Sequence, residues 1–388
     1  MFVPYARQSI NEEDIAAVAN VLRSDFLTQG PAVPAFEHAI RTYCNAAYGV
    51  AMNSATSALH VACLALGVSP GDIVWTSPIS FVASANCALY CGATVDFVDT
   101  DSETFNMSIE ALAAKLAAAK LTNTLPKVVI PVHLAGQSCD MVSINALAKK
   151  YGFKIIEDAS HAIGGTFQGI PVGSCQYSDI TILSFHPVKI ITSGEGGMAL
   201  TNNAALADSM SRTRSHGITR DANLFNNLSD GPWYYEQIDL GFNYRMTDIA
   251  AALGLSQFQR LDSFVTRRNE IAQTYNTLFA GSNIVTPIVP VDVVSAFHLY
   301  VIRLPFSGTQ KQQFFEYAHQ HNVGLNVHYI PIYQQPYFAK MGFDSSKFPA
   351  AENYYREAVS IPMYADLTLE QQQHVASVLI SAATTVSH

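Results

Sequence analysis

Charged residues are scarce in this chain of 388 residues, at 14% of the total, and the formal net charge is −9. No cluster of Lys and Arg departs from this acidic balance, which argues against a nucleic-acid-binding surface. No stretch approaches the roughly 18 apolar residues of a membrane-spanning helix. The segment Met1-Phe-Val-Pro-Tyr5 contains no basic region followed by an apolar run. These absences predict a cytoplasmic protein that binds neither nucleic acid nor membrane.

The six cysteines never form the Cys-x-x-Cys spacing of a zinc site. They lie mostly within apolar segments, so we expect reduced thiols in the core and no metal centre. Apolar residues make up 49% of the chain, a composition that suits a globular enzyme better than a disordered or fibrous protein. The length is too great for one small core and predicts two domains, or one large domain with a substantial appendage.

Short apolar runs alternate with helical patterns between about residues 49 and 200, as expected for parallel strands joined by crossover helices. The last run is expected to return antiparallel. The predicted strands are Tyr48 to Met52, Ile73 to Thr76, Thr94 to Val98, Lys127 to Val132, Phe153 to Glu157, Ile180 to Phe185 and Met198 to Thr201. We therefore predict an α/β sheet that is covered by helices on both faces.

The sequence changes character after this alternation. Residues 216–237 have the polar, Gly- and Pro-containing composition of a long loop. One long helical pattern then runs from Thr247 to Phe279, and smaller elements such as Leu299 to Leu304 and Val323 to Val327 follow. We place a boundary near Met246, which predicts a large domain of residues 1–245 and a smaller α+β domain of residues 246–388.

Lys189 stands between the apolar strand Ile180 to Phe185 and the glycine-rich stretch Ser193-Gly-Glu-Gly-Gly197. An amine that follows a buried strand can be partly desolvated, which lowers its pKa and leaves it nucleophilic near neutrality. A Schiff-base lysine requires that environment. The alternative is a lysine that extends from the strand end to water. Other lysines, such as Lys311, lie in hydrophilic surroundings typical of a solvated surface.

Asp158 ends the predicted strand before it, so its side chain can emerge at the carboxyl edge of the sheet, where ligands of open α/β folds bind. A buried carboxylate at that edge needs a cationic partner. The protonated ring nitrogen of pyridoxal phosphate (PLP) would supply one, and the pair would keep the ring an electron sink. The alternative makes Asp158 a helix N-cap before Ala159.

The segment Asn53-Ser-Ala-Thr-Ser57 lies between a strand and a helix, where free N–H groups and hydroxyls suit a phosphate. It is also an ordinary helix start. Ser184 could reach the same phosphate, although a strand serine is more often a satisfied polar group. Phe81 could stack on a flat ring, and an ordinary core phenylalanine is the alternative.

The order of these features predicts a PLP enzyme better than any one of them. A phosphate loop is followed by an aromatic residue, a strand-end Asp, and then Ser and Lys about 30 residues later. A nicotinamide enzyme is the competing class. The stretch Gly194-Glu-Gly-Gly197 does not match G-x-G-x-x-G and precedes a strand instead of a helix, which argues against that class.

Four motifs together resemble the sugar aminotransferases of the DegT/DnrJ/EryC1/StrS family. The resemblance covers essentially the whole chain and implies the PLP-dependent transferase fold type I, which is like that of aspartate aminotransferase. That fold has a large domain with a mostly parallel seven-stranded sheet and a smaller C-terminal α+β domain. The motifs are Glu157-Asp-Ala-Ser-His161, Ser184-Phe-His-Pro-Val-Lys189, Gly194-Glu-Gly-Gly197 and Gly241-Phe-Asn-Tyr-Arg-Met246.

Within the family, the chain is most similar to the branch that makes the pseudaminic acid precursor, and the resemblance implies that the product is used to glycosylate flagellin or another surface structure. That similarity rests on Asn53 to Ala58, Pro78 to Phe81, His161 and Val327 to Tyr333. It implies amination at C4 of a UDP-linked 4-keto-6-deoxy-N-acetyl sugar of L-configuration. It also implies L-glutamate as the amino donor and a homodimer with shared active sites.

The resemblance also implies a role for each matching residue. Lys189 would form the Schiff base and Asp158 would pair with the pyridinium. The other cofactor-binding residues would be Ala55, Thr56, Phe81, His161, Ser184 and Asn243, the last reaching across a dimer interface. The substrate side would be lined by Tyr5, Asp25, Phe26, Leu27, Thr28, Ala55, Ser184, Asn243, Asn326, Val327, His328 and Tyr329. Ala55 stands where the wider family has Gly, and His161 where it commonly has Gln.

Three other functions remain open. A 4-aminotransferase of the bacillosamine type would take a D-configured UDP- or dTDP-4-keto-6-deoxy sugar. A PLP-dependent sugar dehydratase would have His in place of Lys189. A non-catalytic regulator would need an appended DNA-binding segment, and its strand-end Asp and Lys would have no purpose.

Overall fold

The computed structural model describes residues 2–386, so the outermost positions of the two predicted domains, Met1, Ser387 and His388, lie outside the described residues. The strands are β1 (Tyr48–Met52), β2 (Ile73–Thr76), β3 (Thr94–Phe97), β4 (Val128–Ile130), β5 (Lys154–Asp158), β6 (Thr166–Phe167), β7 (Ile170–Pro171), β8 (Ile180–Ser184), β9 (Gly197–Thr201), β10 (Ile218–Thr219), β11 (Glu236–Gln237), β12 (Val293–Val294), β13 (Tyr300–Arg303) and β14 (Ala358–Ile361).

Helices connect and cover these strands. They are α1 (Glu12–Leu22), α2 (Ala32–Tyr43), α3 (Ala55–Ala65), α4 (Ala83–Tyr90), α5 (Ile109–Thr122), α6 (Met141–Tyr151), α7 (Ala204–Thr213), α8 (Asp248–Phe258), α9 (Leu261–Leu278), α10 (Gln310–Gln320), α11 (Pro336–Ala339), α12 (Pro349–Glu357) and α13 (Leu369–Val386). None of the helices described here is long and apolar enough to cross a membrane.

Seven strands form the central sheet in the order β1-β9-β8-β5-β4-β2-β3. Neighbours from β3 to β8 pair in parallel, while β9 runs antiparallel to both β8 and β1. The predicted mostly parallel seven-stranded sheet, its antiparallel return and the α/β class are therefore confirmed. Because the parallel strands share one direction, the carboxyl ends of β5 and β8 meet at the same edge of the sheet.

Burial explains why the sheet formed as predicted. Every residue of β4, β8 and β9 is buried, the pattern of strands covered on both faces. Several of the helices that cover the sheet begin at side-chain caps, such as Ser54 for α3 and Asp140 for α6. All six cysteines are buried free thiols, as expected.

Two predicted elements differ in the structure. The helical pattern from Thr247 to Phe279 is divided into α8 and α9, because Arg260 leaves the helical conformation and its side chain pairs with the buried Asp14 of α1. The apolar run Val323 to Val327 makes only isolated bridges, from Val323 to Val3 and from Asn326 to Ser360, so it does not form a strand.

The chain after α8 builds a second core around the antiparallel pair β13 and β14. Helices α9, α10 and α13 supply much of that core, and Val3 from the amino-terminal segment joins it. The predicted domain boundary near Met246 remains a prediction.

Candidate active site

A cleft of about 650 Å³ opens at the carboxyl edge of the central sheet, and we name it the sheet-edge cleft. Parallel strands end there, and residues from six separate stretches of the chain meet. It is lined by Asn53, Ser54, Ala55, Thr56, Ser57, Leu59, Ser80, Phe81, Ala83, Val132, Asp158, Ser160, His161, Ser184, His186, Val188, Lys189, Glu195, His328 and Tyr329. The cleft thus contains nine of the predicted site residues.

Asp158 is the last residue of β5 and is buried at the floor of the cleft. Its Oδ2 accepts a hydrogen bond from Ser84 Oγ at 2.6 Å, and its Oδ1 accepts one from the Ser160 N–H at 3.2 Å. The alternative of a helix N-cap is wrong, because a turn and no helix follows Asp158. The carboxylate has no cationic side chain in hydrogen-bonding contact among the described residues, which leaves it available to a positively charged ligand atom.

Lys189 lies in the loop after β8 and faces the same cleft. Burial lowers the pKa of its ammonium to about 8, and the Asp158 carboxylate opposes this shift by attracting the positive charge. The geometry therefore favours the nucleophilic lysine over the solvated alternative. Lys311 does not match its predicted solvated surroundings, because it is partly buried and burial lowers its pKa to about 8 as well.

The amino-terminal end of α3 forms part of the cleft lining. Ser54 Oγ accepts a hydrogen bond from the Ser57 N–H at 3.1 Å, which caps the helix. The N–H groups of Ala55 and Thr56 make no hydrogen bond within residues 2–386, so two donors at a positive helix end face the cleft. A Cβ added to Gly197 would lie 2.4 Å from the Ala55 nitrogen, and this close approach requires glycine.

Phe81 and Ser184 both have surroundings that suit ligand binding. The Phe81 side chain is 58% exposed in the cleft, so the alternative of a core phenylalanine is wrong. Ser184, at the end of β8, is buried, and its hydroxyl has no hydrogen-bond partner among the described residues. A flat apolar face and a free hydroxyl are therefore both present.

His161 and Tyr329 approach each other across the cleft. The Nε2 of His161 lies 3.0 Å from the Tyr329 hydroxyl, and its Nδ1 accepts the Ala135 N–H at 3.2 Å. Burial, together with the charge of Lys189 and the neighbouring His328, lowers the pKa of His161 far below its ordinary value. Burial also lowers the pKa of His328, to about 4. Both imidazoles are therefore neutral near pH 7.

Several predicted residues lie outside this cleft. Asp25, Phe26, Leu27, Thr28 and Asn243 are exposed on the surface. Tyr5 contacts the ring of His328 at a centroid distance of 5.5 Å and does not line the cleft. Asn326 and Val327 instead line a second cavity of about 690 Å³, which we name the C-terminal hollow. The roles of these residues remain predictions.

The sequence did not reveal several supporting residues. Ser80 Oγ lies 2.7 Å from Ser84 Oγ, which in turn donates to Asp158, so two serines extend the network behind the carboxylate. The feature of the sequence that could have identified this serine pair is its spacing of four residues at the start of α4. His298, whose ring lies 4.5 Å from that of His161, carried no signal because it comes from a distant segment.

The side chains present fit PLP. A buried carboxylate suits a pyridinium nitrogen, and an amine with a lowered pKa suits an aldehyde carbon. Unpaired amide and hydroxyl donors suit a phosphate, and an exposed phenylalanine suits an aromatic ring. All four features open into one cavity.

Comparison with known proteins agrees with this chemistry. Residues 8–380 match the DegT/DnrJ/EryC1/StrS aminotransferase family. The chain is 36% identical to the UDP-4-amino-4,6-dideoxy-N-acetyl-β-L-altrosamine transaminase of Campylobacter jejuni, covering 98% of this chain and 97% of the relative. It is 39% identical to the Bacillus subtilis spore coat polysaccharide biosynthesis protein SpsC, covering 95% and 93%.

A solved structure gives the same result. Helicobacter pylori PseC, an aminotransferase involved in the biosynthesis of pseudoaminic acid, superposes with a TM-score of 0.89 at 31% identity, and the match covers 99% of this chain and all of that one. A family match over nearly the whole chain, together with a relative named as the transaminase of a UDP-linked amino sugar, agrees with the cleft chemistry. This chain therefore belongs to the DegT/DnrJ/EryC1/StrS aminotransferase family and is a PLP-dependent nucleotide-sugar aminotransferase.

Proposed function

We propose that this enzyme transfers an amino group from L-glutamate to C4 of UDP-2-acetamido-2,6-dideoxy-β-L-arabino-hex-4-ulose. The product would enter pseudaminic acid biosynthesis and, through it, the glycosylation of flagellin. The observation that carries the proposal is a single cleft in which the buried strand-end Asp158 lies near Lys189, whose pKa is about 8. The names of the Campylobacter and Helicobacter relatives support the choice of sugar.

The cofactor would be held by residues of the sheet edge. Asp158 would pair with the ring nitrogen, Phe81 would stack on the ring, and the α3 amides with Ser184 would bind the phosphate. When bound, PLP supplies an electron sink that stabilises negative charge on the carbon bearing the amino group. The Ser84 hydroxyl, 2.6 Å from Asp158, orients the carboxylate for that pairing.

Lys189 would move the protons. With a pKa of about 8, a larger fraction of its amine is neutral near pH 7 than in an ordinary lysine. The neutral amine takes a proton from Cα of glutamate, and the ammonium later delivers a proton to C4 of the sugar. Asp158 keeps the lysine pKa from falling further, because its carboxylate attracts the ammonium.

We further propose a cytoplasmic homodimer in which the exposed Asn243 reaches the cofactor phosphate of the partner subunit. Exposed apolar side chains near Asn243 support this assembly, since Trp233 is 72% and Leu240 is 82% exposed. The segments 25–28 and 326–329, with Tyr5, would contact the nucleotide sugar.

The test uses purified protein with PLP, L-glutamate and each of the two UDP-4-keto-6-deoxy-N-acetylhexosamine epimers at C5. The configuration at C4 and C5 of any product is determined by NMR. We expect amination of the L-configured epimer. Amination of the D-configured epimer alone would assign the enzyme to a bacillosamine-type pathway, and amination of neither would reject the proposed substrate.

A further inference from the structure

Arg268 is a buried cation whose charge no carboxylate balances. It belongs to α9, and only 3% of its surface is exposed. None of the ion pairs among the described residues includes Arg268, and burial is the cause that lowers the pKa of its guanidinium, to about 10. A buried charge without a partner is costly, so an accompanying negative charge is expected nearby.

The hydrogen bonds of Arg268 use only part of its guanidinium. Nη1 donates to the carbonyls of Phe297, His298 and Met363 at 3.1, 3.2 and 3.2 Å. Nε is buried without a partner among the described residues, and Nη2 takes no part in the hydrogen bonds of this side chain. A guanidinium has five N–H donors, one on Nε and two on each terminal nitrogen, so three of them lack an acceptor in the protein.

A small cavity of about 10 Å³ lies beside Arg268, and we name it the arginine cavity. Its volume admits a single small occupant, such as a water molecule or a halide ion. Three cationic side chains and several polar ones contribute to its lining, namely Arg7, Lys189, Arg268, Ser9, Thr192 and Gln257. Because Lys189 also lines the sheet-edge cleft, an occupant of the arginine cavity lies next to that lysine.

Among residues 2–386, no carboxylate lines the arginine cavity. Two acidic residues touch its polar lining from outside. Asp14 accepts a hydrogen bond from the Gln257 amide at 2.6 Å, and its charge is already paired with Arg260. Asp366 accepts the Ser9 hydroxyl at 3.2 Å and is exposed to solvent. Neither carboxylate contributes to the pKa shift of the buried guanidinium.

The positive charge also acts on the neighbouring His298. Burial lowers the pKa of His298 far below its ordinary value, and the charges of Lys189 and Arg268 are among the further causes. A water molecule in the arginine cavity would satisfy free donors but would leave the charge of Arg268 unbalanced. A halide ion would accept the same hydrogen bonds and supply the missing negative charge.

We propose that the arginine cavity binds one small inorganic anion of halide size, held by Nε and Nη2 of Arg268 and lying beside Lys189. Polyatomic anions such as sulfate are too large for a cavity of this volume. The negative charge next to Lys189 favours the ammonium form of this lysine over the neutral amine. The site is independent of the proposed function, and none of the tests below uses glutamate or a sugar.

Anomalous diffraction from crystals of the full-length holoenzyme equilibrated with sodium bromide tests the site directly. We expect a bromide peak beside Nε and Nη2 of Arg268. Arg303 is the control within the same crystal, because the Glu357 carboxylate lies 3.6 Å from its guanidinium, so no peak is expected there. Density without an anomalous signal would identify a water molecule and overturn the proposal. Peaks of equal height at exposed arginines such as Arg23 would show an adventitious ion only and would also overturn it.

Chloride NMR line widths test the site in solution. Full-length protein should broaden the chloride resonance in a saturable way, and Arg268→Met should abolish the saturable part. Arg303→Met is the matched control and should retain it, since Arg303 is paired with a carboxylate. Sulfate should not displace the chloride. Unchanged broadening in Arg268→Met, or displacement by sulfate, would contradict a halide-sized site at Arg268.

The wild type provides another measurement if Arg268→Met does not fold, since that variant also loses three carbonyl contacts. Reductive methylation of the PLP-free protein across pH gives the pKa of Lys189 in chloride and in gluconate, an anion too large for the cavity. Chloride should raise this pKa by about 1, because a neighbouring opposite charge favours the ammonium. Lys311 does not line the arginine cavity and should not change. An unchanged Lys189, or an equal rise for Lys311, would overturn the proposal.

Discussion

The sheet-edge cleft and the C-terminal hollow are similar in size, at about 650 and 690 Å³, and each contains a lysine whose pKa burial lowers to about 8. Their surroundings differ. Lys189 lies near the Asp158 carboxylate, which raises its pKa against the effect of burial, whereas the Lys311 ammonium donates to the carbonyl of Tyr355 and lies 5.0 Å from that ring. The acidic residue of the hollow, Glu352, accepts hydrogen bonds from Tyr333 and Gln334 and does not contribute to the pKa shift of Lys311.

A desolvated lysine is therefore not sufficient evidence of a catalytic site. The cleft adds unpaired amides and a free hydroxyl, which suit the phosphate of a cofactor, and a carboxylate without a cationic side-chain partner, which suits a pyridinium nitrogen. In the hollow, the Lys311 ammonium already donates a hydrogen bond to a backbone carbonyl of the protein. Catalysis should depend on Lys189 and be indifferent to Lys311.

The largest effect is expected from replacing the two lysines. Lys189→Ala should reduce amination by at least about 10³-fold, because the proton-transfer group is lost. Lys311→Ala should stay within about twofold of wild type, because the Lys311 ammonium does not line the sheet-edge cleft and donates to the Tyr355 carbonyl. Steady-state rates with glutamate and the keto sugar measure both. Equal losses in the two variants would mean that the hollow takes part in catalysis.

Two glycines give the next comparison. Gly197→Ala forces a Cβ to within 2.4 Å of the Ala55 nitrogen, which should cost about 1–3 kcal/mol through displacement of the α3 terminus. Gly308→Ala, in the hollow, meets no atom within 4 Å but has a φ of +50°, which should cost about 1–2 kcal/mol.

PLP titration separates these two costs. Both variants should lower the unfolding free energy in urea, and only Gly197→Ala should also weaken PLP binding, because only it moves the proposed phosphate seat. Unchanged PLP affinity in Gly197→Ala would show that the α3 amides do not bind the phosphate.

Sequence reasoning succeeded where structure follows from local pattern. Strands such as β1 and β2 were predicted to the residue because short apolar runs between turns indicate strands of a largely buried sheet, and the edge positions of Asp158 and Lys189 follow from that. The prediction from sequence failed for Lys311, because the burial of this side chain depends on packing against Tyr355, which is far along the chain. The contact of His161 with Tyr329 spans 168 residues, and no local pattern encodes it.

The pKa of the two lysines should respond differently to Asp158→Asn. The carboxylate raises the pKa of Lys189 against the effect of burial, so its removal should lower that pKa below about 8. The amine would then become neutral, and reactive, at a lower pH. Lys311 has no such carboxylate cause and should keep its pKa of about 8.

Reductive methylation of the PLP-free protein across pH, followed by peptide mass spectrometry, measures both midpoints in one sample. Lys311 provides the internal control for changes in reagent or fold. An unchanged Lys189 midpoint, or a parallel shift of Lys311, would contradict the proposed coupling between Asp158 and Lys189.

The smallest effect is expected at the aromatic residues of the two cavities. Phe81→Leu removes a stacking face that we propose lies against the PLP ring, and aromatic pairs contribute about 0.5–1.5 kcal/mol, so PLP affinity should fall by about 2- to 12-fold. Phe315→Leu makes the same change in the lining of the hollow and should leave PLP affinity unaltered. Fluorescence titration of PLP resolves differences of this size. An equal loss in both variants would indicate a general loosening of the fold. A side chain that is 58% exposed contributes little to the core, so Phe81 should affect PLP affinity mainly through contact with the ligand. No loss in either variant would therefore exclude Phe81 from the cofactor site.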